Sequence, residues 1–183
     1  MAQTKRPPRS PDATCAISNT GPLTFAFQSD SVSLLTTIFA ELHLPEACAK
    51  ELVAHGWQDE FAAAGDSLVI LKLTPKEVRK ARTLARQIAE QTGGGEAASH
   101  LGQAQAIVLA LRREYHDDVL LLDERAARAV ARQQGLTISG FPGVLLLAVQ
   151  GGLISATDLK DRLEVCRKRA RTMGRTSSNR CMI

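Results

Sequence analysis

Thr14-Cys15-Ala16-Ile17-Ser18-Asn19-Thr20-Gly21-Pro22-Leu23 and Val119-Leu120-Leu121-Leu122-Asp123-Glu124-Arg125 follow one pattern. Each is a short apolar run, then a short oxygen-bearing side chain, then the start of a helical pattern. Apolar runs of this length without polar alternation fit strands covered on both faces, as parallel strands between helix layers are. Open α/β sheets bind ligands outside the carboxyl ends of their strands. Asn19 and Asp123 therefore leave two strand ends toward one place.

The pattern repeats outward from these runs. Residues 1–12 are polar and Pro-interrupted and read as a flexible arm. A strand over 13–18 precedes a helical stretch, with apolar spacing from Ser31 to Phe39. A very short strand, Glu41 to Leu44, leads to Pro45 and a helix to about Ala54, closed by His55-Gly56-Trp57. Residues 68–73 form another strand. Thr74-Pro75-Lys76-Glu77 spells a capping box for a helix to about Gln91, broken by Gly93-Gly94-Gly95. A helix over Leu101 to Glu114, strand 119–122, a helix from about Glu124 to Gln134 stopped by Gly135, and strand 137–139 follow. Gly140-Phe141-Pro142-Gly143 turns into the apolar helix Val144 to Gln150, and Thr157 caps a final helix through Arg169. Strands alternating with helices imply βαβ units and an α/β fold with a parallel sheet. The expected division is an arm over 1–12, one domain over 13–165 and a basic tail over 166–183.

The chain has 183 residues, 44% apolar and 23% charged, enough for one ordinary core. Aromatics are only 4%, which leaves few candidates for base-stacking platforms. The net charge of +4 is concentrated at the ends: Lys5, Arg6 and Arg9, then Arg167, Lys168, Arg169, Arg171, Arg175 and Arg180. Basic ends suit either a polyanionic partner such as RNA or a solvated tail. The four cysteines show no C-x-x-C spacing, and Cys15 and Cys48 read as small core residues in a reducing compartment. No apolar run reaches membrane-spanning length and the opening is no secretory signal, so the expected location is the cytoplasm, with no membrane partner.

Four places hold polar residues that escape the core pattern: Asn19; Glu51, beside Leu52 and Val53; Gln103 and Gln105 in an Ala/Ile/Val/Leu helix; and Asp123, with Glu124 next to it. Carboxylates gathered at the carboxyl edge of a parallel sheet would hold hard divalent cations and activate a water against a phosphodiester. Each has a structural rival. Asn19 can bond its own turn, and Asp123 can favour a helix N-terminus near Arg125 and Arg128. Glu51 can face solvent beside Lys50, and the glutamines can be helix surface. One continuous helix over 95–112 would add Glu96 and His100 to the face of Gln103, which Gly102 and the triple glycine oppose.

The order of these stretches resembles the PIN-domain family, in the branch related to toxin ribonucleases of toxin–antitoxin pairs. The matching segments are Ile17-Ser18-Asn19-Thr20-Gly21-Pro22-Leu23, Leu44-Pro45-Glu46-Ala47 through Glu51-Leu52-Val53, and Gly102-Gln103-Ala104-Gln105-Ala106-Ile107. Leu121-Leu122-Asp123-Glu124-Arg125-Ala126-Ala127-Arg128 and Gly140-Phe141-Pro142-Gly143-Val144-Leu145 with Gly151-Gly152-Leu153-Ile154 complete the set. The resemblance implies an α/β/α sandwich and Mg²⁺- or Mn²⁺-dependent cleavage of RNA. Asn19, Glu51, Gln103 (or Gln105) and Asp123 would occupy the family's acidic quartet, with Asn19, Glu51 and Asp123 as metal ligands and the Thr20 hydroxyl assisting. Arg167, Lys168, Arg169 and Arg171 would contact RNA. A small antitoxin protein and a second copy of the chain are the implied protein partners. The chain departs from the pattern where Asn19 stands for the usual Asp and Gln103 and Gln105 for the usual Glu. Amides ligate Mg²⁺ without compensating its charge, so the expected metal binding is weak. The alternative is a catalytically weak PIN fold that binds RNA or a protein.

Overall fold

The computed structural model describes residues 14–93 and 95–178, with side chains described as far as Lys168. The arm over 1–12, the side chains of Arg169 and Arg171, and Arg180 and Cys181 lie outside the described residues. The elements are β1 (Cys15–Ser18), α1 (Thr20–Gln28), α2 (Val32–Ile38), β2 (Glu41–Pro45), α3 (Glu46–Ala54), α4 (Gln58–Ala63) and β3 (Leu68–Leu71). They continue with α5 (Pro75–Gln91), α6 (Leu101–Ala110), β4 (Val119–Leu121), α7 (Arg125–Gln133), β5 (Ile138–Ser139), α8 (Phe141–Gln150) and α9 (Ala156–Ser178).

Among the described residues the sheet has five strands in the order β3-β2-β1-β4-β5, every pair parallel. The chain builds outward from β1 through β2 and β3, then returns to the other side of β1 with β4. The order thus reverses between β1 and β4, which is where doubly wound sheets open a crevice. Asn19 follows β1 and Asp123 follows β4. The Asn19 N–H still donates to Leu121 O at 3.5 Å, so the ladder runs right up to the crevice.

The uninterrupted apolar runs are explained by burial on both faces. Successive strand residues point to opposite sides. Ala16, Leu42, Leu44 and Leu121 join α1, α2 and α8 through Leu23, Phe27, Leu35, Val144 and Leu145. Ile17, Leu120 and Leu122 join α5, α6 and α7 through Leu84, Ile88, Ile107, Val130 and Ala131. The α/β/α sandwich expected from the sequence is the observed architecture.

Thr74 and Glu77 form the reciprocal cap: Glu77 N donates to Thr74 Oγ1 at 3.3 Å and Thr74 N to Glu77 Oε2 at 2.7 Å. Gly135, at φ +77, closes α7 in the left-handed conformation that glycine adopts without strain. Other boundaries differ. The helix after the triple glycine ends at Ala110, and Arg113–Tyr115 form a separate 3₁₀ turn. The segment Phe141-Pro142-Gly143 is the first turn of α8 rather than a loop, because a proline is tolerated where no helical N–H bond is required. The last helix is capped by Ser155, not Thr157. Asp158 N donates to Ser155 Oγ at 3.1 Å and Ser155 N to Asp158 Oδ2 at 2.9 Å. That helix runs to Ser178 without a break at 165, and Cys166 is buried with its thiol toward Phe25 O. Helix α4 lacks an apolar period and has acidic Asp59 and Glu60 in its first turn, which favour a helix N-terminus.

Candidate functional site

The crevice at the carboxyl ends of β1 and β4 is a cavity of about 320 Å³. Asn19, Thr20, Glu51, Gln103 and Asp123 all line it, as does Glu124. Gln105 does not, since it lies two residues and about 200° around α6 from Gln103. Residues 95–112 are not one continuous helix, in keeping with the glycines that oppose it: Ala97–His100 form a 3₁₀ turn before α6. Glu96 is exposed and stays off the cavity wall.

Each side chain arrives by a different route. Asn19 sits at the N-cap of α1 in extended conformation yet makes no side-chain cap bond. Its side-chain oxygen is buried and has no hydrogen-bond partner among the described residues. The reading in which Asn19 bonds its own turn therefore fails. Thr20, in the first turn of α1, donates its hydroxyl to Glu51 Oε2 at 2.6 Å, which ties α1 to α3. Lys50 pairs with Glu46 at 3.2 Å, and Glu51 is at once exposed to solvent and on the cavity wall. The start of α6 packs on α3 at Gly102, where a Cβ would make ordinary contacts of 3.4 Å with Cys48 Sγ and 3.6 Å with Glu51 Oε2.

Asp123 divides its two oxygens. Oδ1 accepts the Phe141 N–H at 2.8 Å, capping α8 rather than its own helix. Oδ2 is buried beside the cavity with no hydrogen-bond partner among the described residues. Burial raises the Asp123 pKa above its ordinary value, against the opposing effects of the Phe141 N–H and the Arg128 charge. Burial also pushes the Cys48 thiol up to about 11, opposed by the Thr20 hydrogen bond and aided by the Glu51 charge. Cys48 thus remains a neutral thiol beside the cavity rather than a nucleophile.

Glu124 is the residue whose part the sequence understated. It holds the N-cap position of α7 without making a cap bond. Its Oε2 is buried and accepts no hydrogen bond among the described residues, but lies 3.5 Å from His100 Nδ1, an ion pair when that imidazole is protonated. One sequence signal was available. Glutamate is not among the short side chains that favour an N-cap, so its presence there asks for another reason.

Asn19 Oδ1, Asp123 Oδ2 and Glu124 Oε2 are thus three buried oxygens without a hydrogen bond around one cavity, the last of them within ion-pair reach of His100, and Glu51 lines the same cavity. Buried acceptors of this kind are costly unless something donates to or coordinates them. A set made of carboxylates and one amide oxygen fits a hard divalent cation.

The basic residues Arg167 and Lys168 are exposed on α9 and both lie near Glu164, at 2.9 and 3.8 Å. Among the described residues no helix is long and apolar enough to cross a membrane.

No curated protein matches this sequence significantly. A family model described as a PIN domain matches residues 15–175, from the first residue of β1 well into α9. PIN domains generally use divalent metals on a nuclease-like, nucleic-acid-binding fold. The match covers nearly the whole described chain, so this chain belongs to the PIN-domain family.

Proposed function

We propose that the protein is a divalent-metal-dependent endoribonuclease acting in the cytoplasm as a toxin-like partner of a small antitoxin. The observation that supports this most is the trio of buried oxygens on Asn19, Asp123 and Glu124 that accept no hydrogen bond around one cleft. Glu124 raises the carboxylates of the cleft to three with Glu51 and Asp123, which offsets part of what Asn19 and Gln103 lack.

In this reading Asn19, Asp123 and Glu124 would hold Mg²⁺ or Mn²⁺, and Glu51 lines the same cavity. The bound cation supplies a lowered pKa for a water and charge neutralisation at the scissile phosphate. Thr20 fixes the rotamer of Glu51 through its 2.6 Å hydrogen bond. Asp123 is oriented by the Phe141 N–H, so its second oxygen is aimed before any ligand arrives. Gln103 offers amide hydrogen bonds to a phosphate oxygen or to a water. Arg167, Lys168, Arg169 and Arg171 steer the RNA backbone, with an affinity that falls with salt. Leu146 and Leu147, each about half exposed on α8, offer an apolar face to the antitoxin or to a second copy.

Gln103 in the cleft favours a second reading, a catalytically weak PIN fold that binds RNA or a protein. Single-turnover cleavage of structured RNA in Mn²⁺ separates the two. Cleavage lost in Asp123→Ala supports the nuclease. Binding that is salt-dependent and EDTA-insensitive, with no cleavage over any metal or RNA, replaces it with the second reading.

A further inference from the structure

The amino edge of the sheet carries a second set of ligand-type side chains. Cys15 opens β1 and Glu41 opens β2, and the parallel register sets them directly opposite each other. His43, two residues along, shares the face of Glu41. The Cys15 thiol, a Glu41 carboxylate oxygen and a His43 ring nitrogen all lie within 4.8 Å of one another. This group is remote from the cleft, since Cys15 and Asn19 are four residues apart on an extended strand, about 13 Å.

The set is built rather than incidental. His43 is completely buried and Cys15 is 3% exposed, in a face otherwise apolar around Ile17 and Leu120. Tyr115 OH lies 2.8 Å from His43 Nδ1, and the ring edges meet at 84°. Without metal, the 2.8 Å between His43 Nε2 and Glu41 Oε2 is a hydrogen bond with a proton between the two atoms, and a metal on Nε2 would take that proton's place while Nδ1–H holds the ring by donating to the tyrosine oxygen. A ring held by its other nitrogen is how metal-bound histidines are oriented. The Glu41 side chain is 36% exposed, which gives the group an opening to solvent.

We propose that Cys15, Glu41 and His43 form a zinc site, with water in the fourth position, that clasps β1 to β2. One thiolate, one imidazole and one carboxylate form a borderline-soft set that suits Zn²⁺ and disfavours Mg²⁺ or Mn²⁺. Binding releases the Cys15 thiol proton to solvent and displaces the proton between His43 Nε2 and Glu41 Oε2, which moves to Nδ1 where that nitrogen is bare and otherwise leaves to solvent. A tetrahedral ion with ordinary bond lengths needs donor separations of about 3.3–3.6 Å. Cys15 Sγ to Glu41 Oε2 is 4.0 Å and Glu41 Oε2 to His43 Nε2 is 2.8 Å. Movement of the partly exposed Glu41 side chain would adjust these two separations, and the Cys15 thiol and the His43 ring nitrogen lie within 4.8 Å of each other.

The test is Co²⁺ titration of the chelator-treated full chain, followed by displacement with Zn²⁺. The expected result is one equivalent giving a near-ultraviolet thiolate-to-cobalt charge-transfer band that Zn²⁺ abolishes, and a Zn²⁺-dependent rise in Tm. The band disappears in Cys15→Ser and persists in Cys48→Ser, Cys166→Ser and Cys181→Ser. It also persists in Asp123→Asn, which separates this site from the cleft. Glu41→Gln, on a partly exposed side chain, weakens binding on the order of tenfold or more and guards against a Cys15 variant that fails to fold. Absence of the band in the parent chain, its loss with another cysteine instead, or full affinity in Glu41→Gln overturns the proposal.

Discussion

Gly140→Ala tests whether the geometry of Asp123, rather than its mere presence, sets the cleft. Gly140 has an ordinary φ of −118°, so backbone strain is not the issue. The obstacle is space. A Cβ at Gly140 would lie 2.6 Å from Asp123 Oδ1 and 2.7 Å from Arg128 Nη1, where real Cβ contacts essentially never fall below 3.0 Å. The Arg128 head can swing away at little cost. The Asp123 oxygen is pinned by the 2.8 Å bond from Phe141 N, and it must retreat by at least 0.4 Å (3.0 less 2.6). That either stretches the capping bond of α8 or rotates the carboxylate, and both re-aim Oδ2. Losing a hydrogen bond to a charged group costs about 1.5–3 kcal/mol. Misplacing a ligand by such a distance costs on the order of ten- to hundredfold in a site that depends on it. We expect a folded protein with Tm lowered by several degrees, Mn²⁺ affinity reduced at least tenfold by calorimetry, and single-turnover RNA cleavage reduced in parallel. Parental Mn²⁺ affinity in a folded Gly140→Ala protein would refute the assignment of Asp123 as an aimed ligand.

Asp123→Asn should separate stability from metal binding. Because the folded pKa of Asp123 is raised by burial, its ionisation penalises the fold. The carboxyl is least costly below the ordinary Asp range, and the penalty grows as pH rises through the folded pKa. The amide, which can still accept from Phe141 N, should therefore raise stability at pH 7 by on the order of 1 kcal/mol, with no gain at low pH, while Mn²⁺ binding is lost. A lower Tm at pH 7 would contradict this. Glu77 runs the other way: its hydrogen bond from Arg112 is the main cause of a pKa lowered to about 2. Its stabilisation is complete above the ordinary Glu value and is lost as pH falls through about 2. With both side chains about one-fifth exposed, Glu77→Gln should cost about 1–2 kcal/mol in urea unfolding at pH 7 and almost nothing near pH 2. Arg162 donates from Nη1 to Ser29 O, Asp30 O and Ser31 Oγ at 2.7, 2.6 and 2.6 Å, holding α9 to a turn in which Asp30 has φ +49. Arg162→Ala should cost about 2 kcal/mol in the same unfolding assay, and a change within error would show the clamp to be idle.

The sheet was legible because strands such as Ala16-Ile17 and Leu120-Leu121 feed two different cores, which leaves no polar position to blur the pattern. The place of the cleft was legible for the same reason: where the apolar runs stop, Asn19 and Asp123 are the polar side chains at the two strand ends, and both line the crevice. Glu124 was seen beside Asp123 but not counted, because sequence alone does not tell which neighbour of a helix start turns inward. Helix α4 went unforeseen since six residues with one aromatic carry no periodic signal. Cys15 reads as a small apolar residue in its own run, and only the register that sets it opposite Glu41 gives it polar company. Such pairing is a tertiary fact that no local window contains.

The amide at position 19 makes the charge of the cleft adjustable, and Asn19→Asp is the most informative adjustment. Gly21 shows how close the two strand ends come: a Cβ there would lie 3.8 Å from Asn19 Oδ1 and 4.0 Å from Asp123 Oδ2. A second carboxylate beside Asp123 faces the same burial and adds like-charge repulsion, so in metal-free protein one of the two should hold a proton at higher pH than an isolated Asp does. Metal-free Asn19→Asp should therefore be less stable than the parent at pH 8 and close to it at pH 5. A dication reverses the balance by neutralising both charges, and its affinity at pH 8 should rise on the order of tenfold or more. The gain should shrink as pH falls, because protons and metal compete for the same oxygens. Calorimetric Mn²⁺ titrations of parent and Asn19→Asp protein at both pH values read this directly. Equal affinities at pH 8 would mean that Asn19 and Asp123 do not share an ion, and the proposed metal centre would have to be abandoned.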